Sequence, residues 1–216
     1  MSQPNHNLLT NKVEQPVVNA LIVRRDGLTE LLDSSWEHRL TLLTAPSGYG
    51  KTTLLVEWLS GGGRNHPRAA WVTFDEFDND PLRFWTTITS ALKKACHRLQ
   101  LHPQSLIDLE QDPGGLTLLN PLLNEIAAIP YHTVLVLDDC HAITNNTIQD
   151  QLGYFVEHLP QNLNLIVSGR VKPQIPLSRL RAQRALLEIT ERDLAFSLPE
   201  AQSFFVNVMN LAMDKA

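Results

Sequence analysis

Short apolar runs, separated by stretches of more polar character, set the pattern of the chain. Each run is rich in Leu, Val or Ile and has almost no polar interruption. Near-continuous apolar runs of this length are expected of strands that are buried on both faces of a parallel sheet. Five such strands are predicted, over residues 40–44, 69–74, 133–137, 163–168 and 185–189.

The stretches between these runs carry apolar residues at helical spacing, as in residues 51–59, where Leu54, Leu55 and Trp58 lie on one side. Pro81 suits the first turn of a helix, and Pro121 predicts a break or a late start in another. Strands that alternate with helices predict an α/β fold, with a doubly wound parallel sheet of about five strands. The predicted helices cover residues 51–59, 82–99, 116–129 and 148–159.

The two ends of the chain differ from the part between them. Residues 1–16, rich in Asn and Gln, predict a flexible leader, and residues 17–196 predict the main domain. A last helix is expected over residues 198–211, because Ser197 is a natural N-cap and Glu200 lies in the first turn. Residues 197–216 are therefore predicted to begin a truncated helical lid.

Composition narrows the class of protein. The 216 residues suit one domain, and the formal net charge of −5 argues against a strong nucleic-acid-binding surface. No apolar run is long enough to span a bilayer and the start lacks a secretory signal, so a cytoplasmic protein is expected. Cys96 and Cys140 are expected to be buried free thiols. The basic run Arg179, Arg181 and Arg184 predicts either a solvated face or an internal ion-pair set.

Residues 45–53 have the composition of a phosphate-binding loop, and they follow a predicted strand and open a predicted helix. Gly48 and Gly50 let the backbone curl so that successive N–H groups point at phosphate oxygens. The helix adds its unpaired N-terminal N–H groups. Lys51 is expected to reach the β- and γ-phosphates, and the hydroxyl of Thr52 is expected to bind Mg²⁺.

One position of this loop departs from the general pattern GxxxxGK[ST], since Ala45 replaces its first glycine. A chance Gly-Lys-Thr sequence is the alternative, but the flanking strand and helix favour the loop. Thr53 is expected to contact the α-phosphate. The predicted nucleotide-binding residues of the loop are Ala45, Pro46, Ser47, Gly48, Tyr49, Gly50, Lys51, Thr52 and Thr53.

Two carboxylates, Asp138 and Asp139, follow the third predicted strand directly. Ligands bind at the carboxyl ends of parallel strands, so Asp138 is expected to hold the Mg²⁺ shell through water. Asp139 is expected to orient or activate an attacking water, although a turn that merely begins with two aspartates is the alternative. His141 could relay the phosphate state or be structural. Arg170 follows the next strand and is either a γ-phosphate contact or a surface arginine.

A second acidic group, Asp75, Asp78 and Asp80, lacks the glycine and the terminal glutamate of a Ca²⁺ loop. These residues are therefore predicted to form a helix-entry loop and not a metal site.

With these residues in place, the chain resembles the nucleotide-binding domain of the MalT-like, LuxR-type, ATP-dependent transcription activators. That group belongs to the signal-transduction ATPases with numerous domains (STAND), P-loop NTPases of the ASCE division. The resemblance covers residues 21–211. Besides the phosphate loop and Trp58, it rests on residues 21–24, 71–75, 78–81, 84–85, 136–141, 168–170, 180–182 and 193–196.

The resemblance implies an ATP/ADP switch with Mg²⁺. Such a domain rests with ADP, self-associates in the full-length protein when inducer and ATP are bound, and resets by slow hydrolysis. Val23 and Arg24 would contact the adenine, and Arg170 would sense the γ-phosphate, although residues 25–27 depart from the family pattern. A winged-helix lid would begin near Leu198, and DNA contact would belong to a C-terminal domain outside this chain.

Three functions are therefore weighed. The first is a regulatory switch that is at most a slow ATPase, favoured by the loop, the paired aspartates and the arginine. The second is a P-loop kinase for a small molecule, which would need an acceptor pocket and a lid with arginines. The third is a non-catalytic scaffold that depends on nucleotide.

Overall fold

All five predicted apolar runs are strands of one parallel sheet. The computed structural model describes residues 10–18, 22–61, 68–100, 112 and 114–210. The sheet order is β2-β3-β4-β1-β5, and every neighbouring pair is parallel. The strands are β1 (Leu40–Thr44), β2 (Arg68–Thr73), β3 (Thr133–Asp138), β4 (Leu163–Gly169) and β5 (Leu186–Thr190).

Helices cover both faces of this sheet, which confirms the doubly wound fold. Trp85 and Phe155 belong to the core on one face, and Leu32 and Leu55 belong to the core on the other. The main helices are α1 (Asp26–Asp33), α2 (Lys51–Ser60), α3 (Pro81–Ala95), α4 (Leu116–Ala127) and α5 (Asn146–Glu157). Shorter ones are α6 (Ser178–Ala182), α7 (Glu191–Leu194) and α8 (Leu198–Ser203), and a π-helical turn (Phe204–Val208) follows α8.

The strand order brings the predicted chemistry to one edge of the sheet. β1 lies between β4 and β5, and Thr44 at its end pairs with Gly169 of β4. β3 lies on the other side of β4, with Leu137 opposite Val167. The phosphate loop, the paired aspartates and Arg170 therefore all start from neighbouring carboxyl ends.

Pro121 does not break its helix, contrary to the prediction. α4 runs from Leu116 to Ala127 with the proline inside it. The proline removes one backbone hydrogen bond, but the helix buries Leu118, Leu122 and Ile126 in the core, and this packing stabilises it. α3 also differs, because it ends at Ala95 and not near residue 99.

Part of the predicted leader packs against the domain. Residues Thr10–Val13 form a 3-10 helix, and the Lys12 ammonium lies 2.6 Å from a carboxylate oxygen of Asp78, whose side chain is fully buried. Lys12 also lies 2.7 Å from Asp75. This buried ion pair fastens the segment to the loop before α3, while residues 1–9 lie outside the described part of the chain.

The predicted cap at the start of the last helix is present. The hydroxyl of Ser197 accepts from the Glu200 N–H, and the Glu200 carboxylate accepts from the Ser197 N–H at 2.7 Å. This capping box starts α8. Residue 211 of the predicted helix and residues 212–216 of the predicted lid lie outside the described residues. Within the described ranges, no helix is long and apolar enough to cross a membrane.

Candidate functional site

The loop between β1 and α2 has the backbone conformation that its glycines allow. Gly48 has a φ of 87° and Gly50 a φ of 74°, both in the left-handed region. A Cβ at either position would meet no atom within 4 Å, so the backbone angle and not the available space favours glycine there. Gly50 is the N-cap of α2, which places the N-terminal N–H groups of that helix at the loop.

Lys51, the first residue of α2, is buried in this loop with only 7% of its surface exposed. Its ammonium donates to the carbonyls of Ala45 at 2.8 Å and Pro46 at 3.0 Å. The pKa of Lys51 is lowered, mainly by burial. The charges of Asp139 and Asp138 oppose that shift, and the charge of Arg170 reinforces it. The predicted lysine, aspartates and arginine thus lie within electrostatic range of one another.

Thr52 and Asp138 meet across the two strand ends. The hydroxyl of Thr52 donates to Asp138 Oδ2 at 2.7 Å, and Asp138 is 1% exposed. The other carboxylate oxygen accepts the N–H of Asp139 at 3.0 Å. A hydroxyl oxygen beside a carboxylate suits Mg²⁺, which prefers oxygen ligands and takes few direct carboxylates when phosphates and waters complete its shell. The donors present therefore fit that ion.

Asp139 occupies a strained backbone position at the rim of the site. Its φ of 54° is in the left-handed region, which is uncommon for a residue other than glycine. Its carboxylate is half-exposed and lies 3.6 Å from His141 Nδ1. That nitrogen and the hydroxyl of Ser168 are buried and make no hydrogen bond within the described residues.

Arg170 is an exposed residue directly after β4. The turn that carries it touches both neighbouring turns. The Ala45 N–H donates to the Gly169 carbonyl at 3.3 Å, and a Cβ at Gly169 would lie 3.3 Å from the backbone nitrogen of His141. The close approach to His141 leaves little room for a side chain at Gly169, so the turn holds Arg170 beside the phosphate loop and the aspartates.

A largely apolar cleft of about 630 Å³ opens next to the phosphate loop. Its lining includes Val23, Gly50 and Thr53 together with Phe196, Phe204 and further residues of the C-terminal segment. A cavity of this size with apolar walls and a few polar groups is typical of a small-molecule site.

The two neighbouring arginines at this cleft are placed differently from the prediction. Val23 lines the cleft, but Arg24 is exposed and does not belong to the cleft lining, which contains Arg25 instead. Arg25 is 9% exposed and bonds to residues near the end of the chain. Its signal in the sequence was only that it departs from the family pattern.

Glu57 is a second residue of the cleft that the sequence did not single out. It lies on α2 and belongs to the cleft lining. The pKa of the Glu57 carboxyl is raised, mainly by burial. The charge of Asp26 adds to this shift, and the charges of Arg24 and Arg25 oppose it. A carboxylate here offers a hydrogen-bond acceptor away from the phosphate loop.

Other predicted groups have structural partners. Arg181 bonds to Glu188 at 3.0 Å, and Arg179 pairs with Glu157, but both arginines are about half exposed or more, so these are ion pairs on a solvated face and not an internal set. Cys96 and Cys140 are free and buried, and burial raises the pKa of Cys140 to about 12.

The aspartates before α3 serve the entry into that helix. Asp75 and Asp80 accept hydrogen bonds from backbone N–H groups at helix starts. Asp78 forms ion pairs with Lys12 and Arg83. In the part of the chain that the structure describes, no cluster of three or more His, Cys, Asp or Glu side chains could hold a metal ion.

Comparisons with known proteins identify the family of the chain. A family model described as an AAA domain matches residues 36–171. The chain is 35% identical over 198 residues to the HTH-type transcriptional regulator MalT of Cronobacter sakazakii, and equally to that of Yersinia pestis. These alignments cover 92% of this chain but 22% of each relative, so the chain spans about a fifth of their length. The predicted resemblance to MalT-like regulators is confirmed.

Similar solved structures are more distant. Cdc6p from Pyrobaculum aerophilum is 16% identical with a TM-score of 0.49, over 84% of this chain and 49% of that one. Drosophila ORC bound to AT-rich DNA and Cdc6 is 17% identical with a TM-score of 0.49, over 85% of this chain and 62% of that one. Neither likeness carries an argument about function.

Proposed function

The chain belongs to the AAA domain family, and from this premise we propose that it is the ATP-binding switch domain of a MalT-like transcriptional regulator. The observation that carries the proposal is the meeting of four groups at one sheet edge. The glycine loop, Lys51, the Thr52–Asp138 pair and Arg170 surround one place beside an apolar cleft. The loop supports phosphate binding, and the cleft supports binding of a nucleoside.

Each residue has a role in this proposal. Residues 45–53 bind the phosphates, and Lys51 leaves its two carbonyl acceptors to neutralise the β- and γ-phosphates. Thr52 and Asp138 hold Mg²⁺, which when bound neutralises charge on the phosphates. Asp139 accepts a proton from an attacking water, since its half-exposed carboxylate lies at the rim. Val23 contacts the base.

The proposed output is a change of state and not rapid turnover. Arg170 contacts the γ-phosphate in ATP and loses that contact in ADP, so the two nucleotides favour different arrangements of the turn after β4. We place the slow hydrolysis, the self-association and the cytoplasmic location within this proposal. DNA contact is assigned to another part of the regulator, because a net charge of −5 opposes binding of a phosphate backbone here.

The kinase alternative would take its lid arginines from the run Arg179, Arg181 and Arg184. Arg179 and Arg181 pair with carboxylates of their own fold. The scaffold alternative differs from the switch in catalysis alone, so turnover measurements decide between them.

Binding is tested with Lys51→Ala and with Lys94→Ala as the matched control, because Lys94 is an exposed lysine on α3. We expect calorimetric titration with Mg-ATP to detect binding in the wild type and in Lys94→Ala. Lys51→Ala should weaken binding by about 100-fold or more, as is typical when one partner of a buried charge-assisted contact is removed. Undiminished affinity in Lys51→Ala would refute the proposed role of the loop.

Catalysis is tested with Asp139→Asn, which keeps the size of the side chain and removes its basicity. We expect ATP affinity to stay within about twofold of the wild type, since Asp139 does not bind the phosphates. The single-turnover rate should fall by about 100-fold or to the spontaneous rate. If the wild-type rate already equals the spontaneous rate, the scaffold alternative is correct.

A further inference from the structure

One part of the cleft wall comes from the C-terminal segment. Leu194, Ala195 and Phe196 form it together with Phe204 and Val208 of the π-helical turn. The centres of the Phe196 and Phe204 rings lie 5.6 Å apart, so these two side chains form one aromatic surface within the wall. The shape of the cleft therefore depends on how this segment is fastened to the rest of the domain.

Arg25 makes this attachment, although it lies far away in the sequence. One terminal nitrogen donates to the Leu194 carbonyl at 2.7 Å, and the other donates to the Ala195 carbonyl at 3.0 Å. Its Nε donates to Glu200 at 3.1 Å. The guanidinium also lies 5.0 Å from the centre of the Phe196 ring, within the range of a cation–π contact.

The geometry of these contacts requires arginine. The planar guanidinium presents several N–H donors in a fixed fork, so it can serve two successive carbonyls and a carboxylate at once. A lysine ammonium in the same place would be a point charge without that fork. Arg25 is almost fully buried, so solvent does not weaken these bonds as it would at the surface.

Glu200 connects Arg25 to the start of α8. The same carboxylate accepts the Ser197 N–H at 2.7 Å and the Ser197 hydroxyl at 2.8 Å, which forms the cap of that helix. The position of Arg25 therefore fixes both the cleft wall and the start of α8. Arg25 itself follows Val23, another residue of the cleft lining, by only two residues.

We propose that Arg25 is a positioning residue that holds the Leu194–Glu200 segment over the cleft, where this segment forms the base side of the nucleotide site. Arg25 thereby couples the occupancy of the nucleotide site to the position of α8. The proposal rests on the proposed function in taking the ligand of the cleft to be a nucleotide. Coupling is reciprocal: a nucleotide that needs the wall in place also stabilises the start of α8.

The first test separates the base side of the site from its phosphate side. ADP and inorganic pyrophosphate are titrated by calorimetry into the wild type, Arg25→Ala, Arg25→Lys, Arg24→Ala and a control, Arg192→Ala. Arg192 is an exposed arginine on α7, close to the same segment. We expect both Arg25 variants to lose at least about tenfold in ADP affinity, the effect of one charge-assisted hydrogen bond. Pyrophosphate affinity should stay within about twofold, and the control should match the wild type.

Three outcomes of this titration would overturn the proposal. The first is ADP affinity in Arg25→Lys equal to that of the wild type, since the fork would then be unnecessary. The second is an equal loss for ADP and pyrophosphate. The third is a loss of ADP affinity in Arg24→Ala without one in Arg25→Ala, which would assign the base to the other arginine.

The second test needs no ligand and so is independent of the proposed function. Backbone hydrogen exchange is measured for residues 194–203 in the same variants and in Glu200→Gln, which leaves the two carbonyl bonds of Arg25 in place. We expect exchange to be faster in Arg25→Ala and Arg25→Lys, faster only near α8 in Glu200→Gln, and unchanged in strands β3 and β4. Wild-type exchange in both Arg25 variants would overturn the proposal. If the wild type binds neither ADP nor pyrophosphate, the proposed function fails, and exchange alone decides the role of Arg25.

Discussion

Two charged side chains of this protein show how their surroundings assign different tasks to single residues. Among the described residues, the bonding partners of the buried Lys51 ammonium are backbone carbonyls, and burial lowers the pKa of Lys51. It is therefore a cation that a phosphate can recruit without first breaking an ion pair. Glu188 on the edge strand β5 is held by two cations, and its hydrogen bonds to Arg181 and Lys172 lower its pKa to about 2. The first residue is placed for binding and the second for stability.

The Glu188 pair predicts a pH dependence of stability. Since the pKa in the folded state lies below the usual 4.5, the stabilisation is present above about pH 4.5 and is lost as the pH falls towards 2. Arg181 and Lys172 are about half exposed, so the contribution should be about 1 kcal/mol. In urea unfolding at pH 7, Glu188→Gln should be less stable than the wild type by that amount, and the difference should shrink by pH 3. A difference that stays constant down to pH 3 would contradict this assignment. Glu157→Gln, which breaks a more exposed pair, is the control.

The residues of the phosphate loop could be predicted from the sequence because their chemistry is local. Gly50, Lys51 and Thr52 are adjacent, and their order alone indicates how they would treat a phosphate. Arg25 could not be predicted in the same way, because its carbonyl acceptor Leu194 lies 169 residues further along the chain. Only the folded chain shows which of the two neighbouring arginines faces the cleft.

At the scale of elements, the segment before the sheet is fastened by a buried ion pair in addition to Val13, which packs against the core. The ion pair between Lys12 and Asp78 joins the Thr10–Val13 helix to the entry of α3. Arg83 provides the second partner of Asp78, at 3.2 Å. The composition of this segment, rich in Asn and Gln, predicts a flexible leader. The packing of Thr10–Val13 could not be predicted, because the buried partner of Lys12 cannot be recognised in the sequence.

Removal of the ion pair between Lys12 and Asp78 should lower the free energy of unfolding. In Lys12→Met, the buried carboxylate of Asp78 keeps Arg83 but loses its shorter ion pair. We expect a loss of about 3 kcal/mol in the free energy of unfolding. Lys94→Met is the matched control, because Lys94 pairs with Glu14 where both side chains are more than half exposed, and it should cost less than about 1 kcal/mol. Equal losses in the two variants, measured by urea unfolding, would show that burial is not what makes the Lys12 pair important.

The strands were predicted closely because both faces of the sheet are buried. β1 and β3 match their predicted ranges to within one residue. Helix ends depend on packing that a single stretch of sequence does not reveal. For this reason α3 stops early and α4 continues through Pro121.

For the whole molecule, the parallel sheet gives the site its phosphate side and the C-terminal segment gives it the base side. The carboxyl ends of β1, β3 and β4 bring together the loop, the aspartates and Arg170. The cleft then lies between the phosphate loop and residues 194–208. Because one side belongs to the rigid sheet and the other is attached by Arg25, a ligand that contacts both can change how they sit relative to each other.

A crystal structure with Mg²⁺ and a non-hydrolysable ATP analogue tests the central claim most directly. We predict the phosphates against the backbone N–H groups of residues 48–52, the Lys51 ammonium moved from the Ala45 and Pro46 carbonyls onto them, and the base in the cleft between Val23 and Phe196. An analogue bound elsewhere, or a loop whose N–H groups face away from the phosphates, would contradict the account.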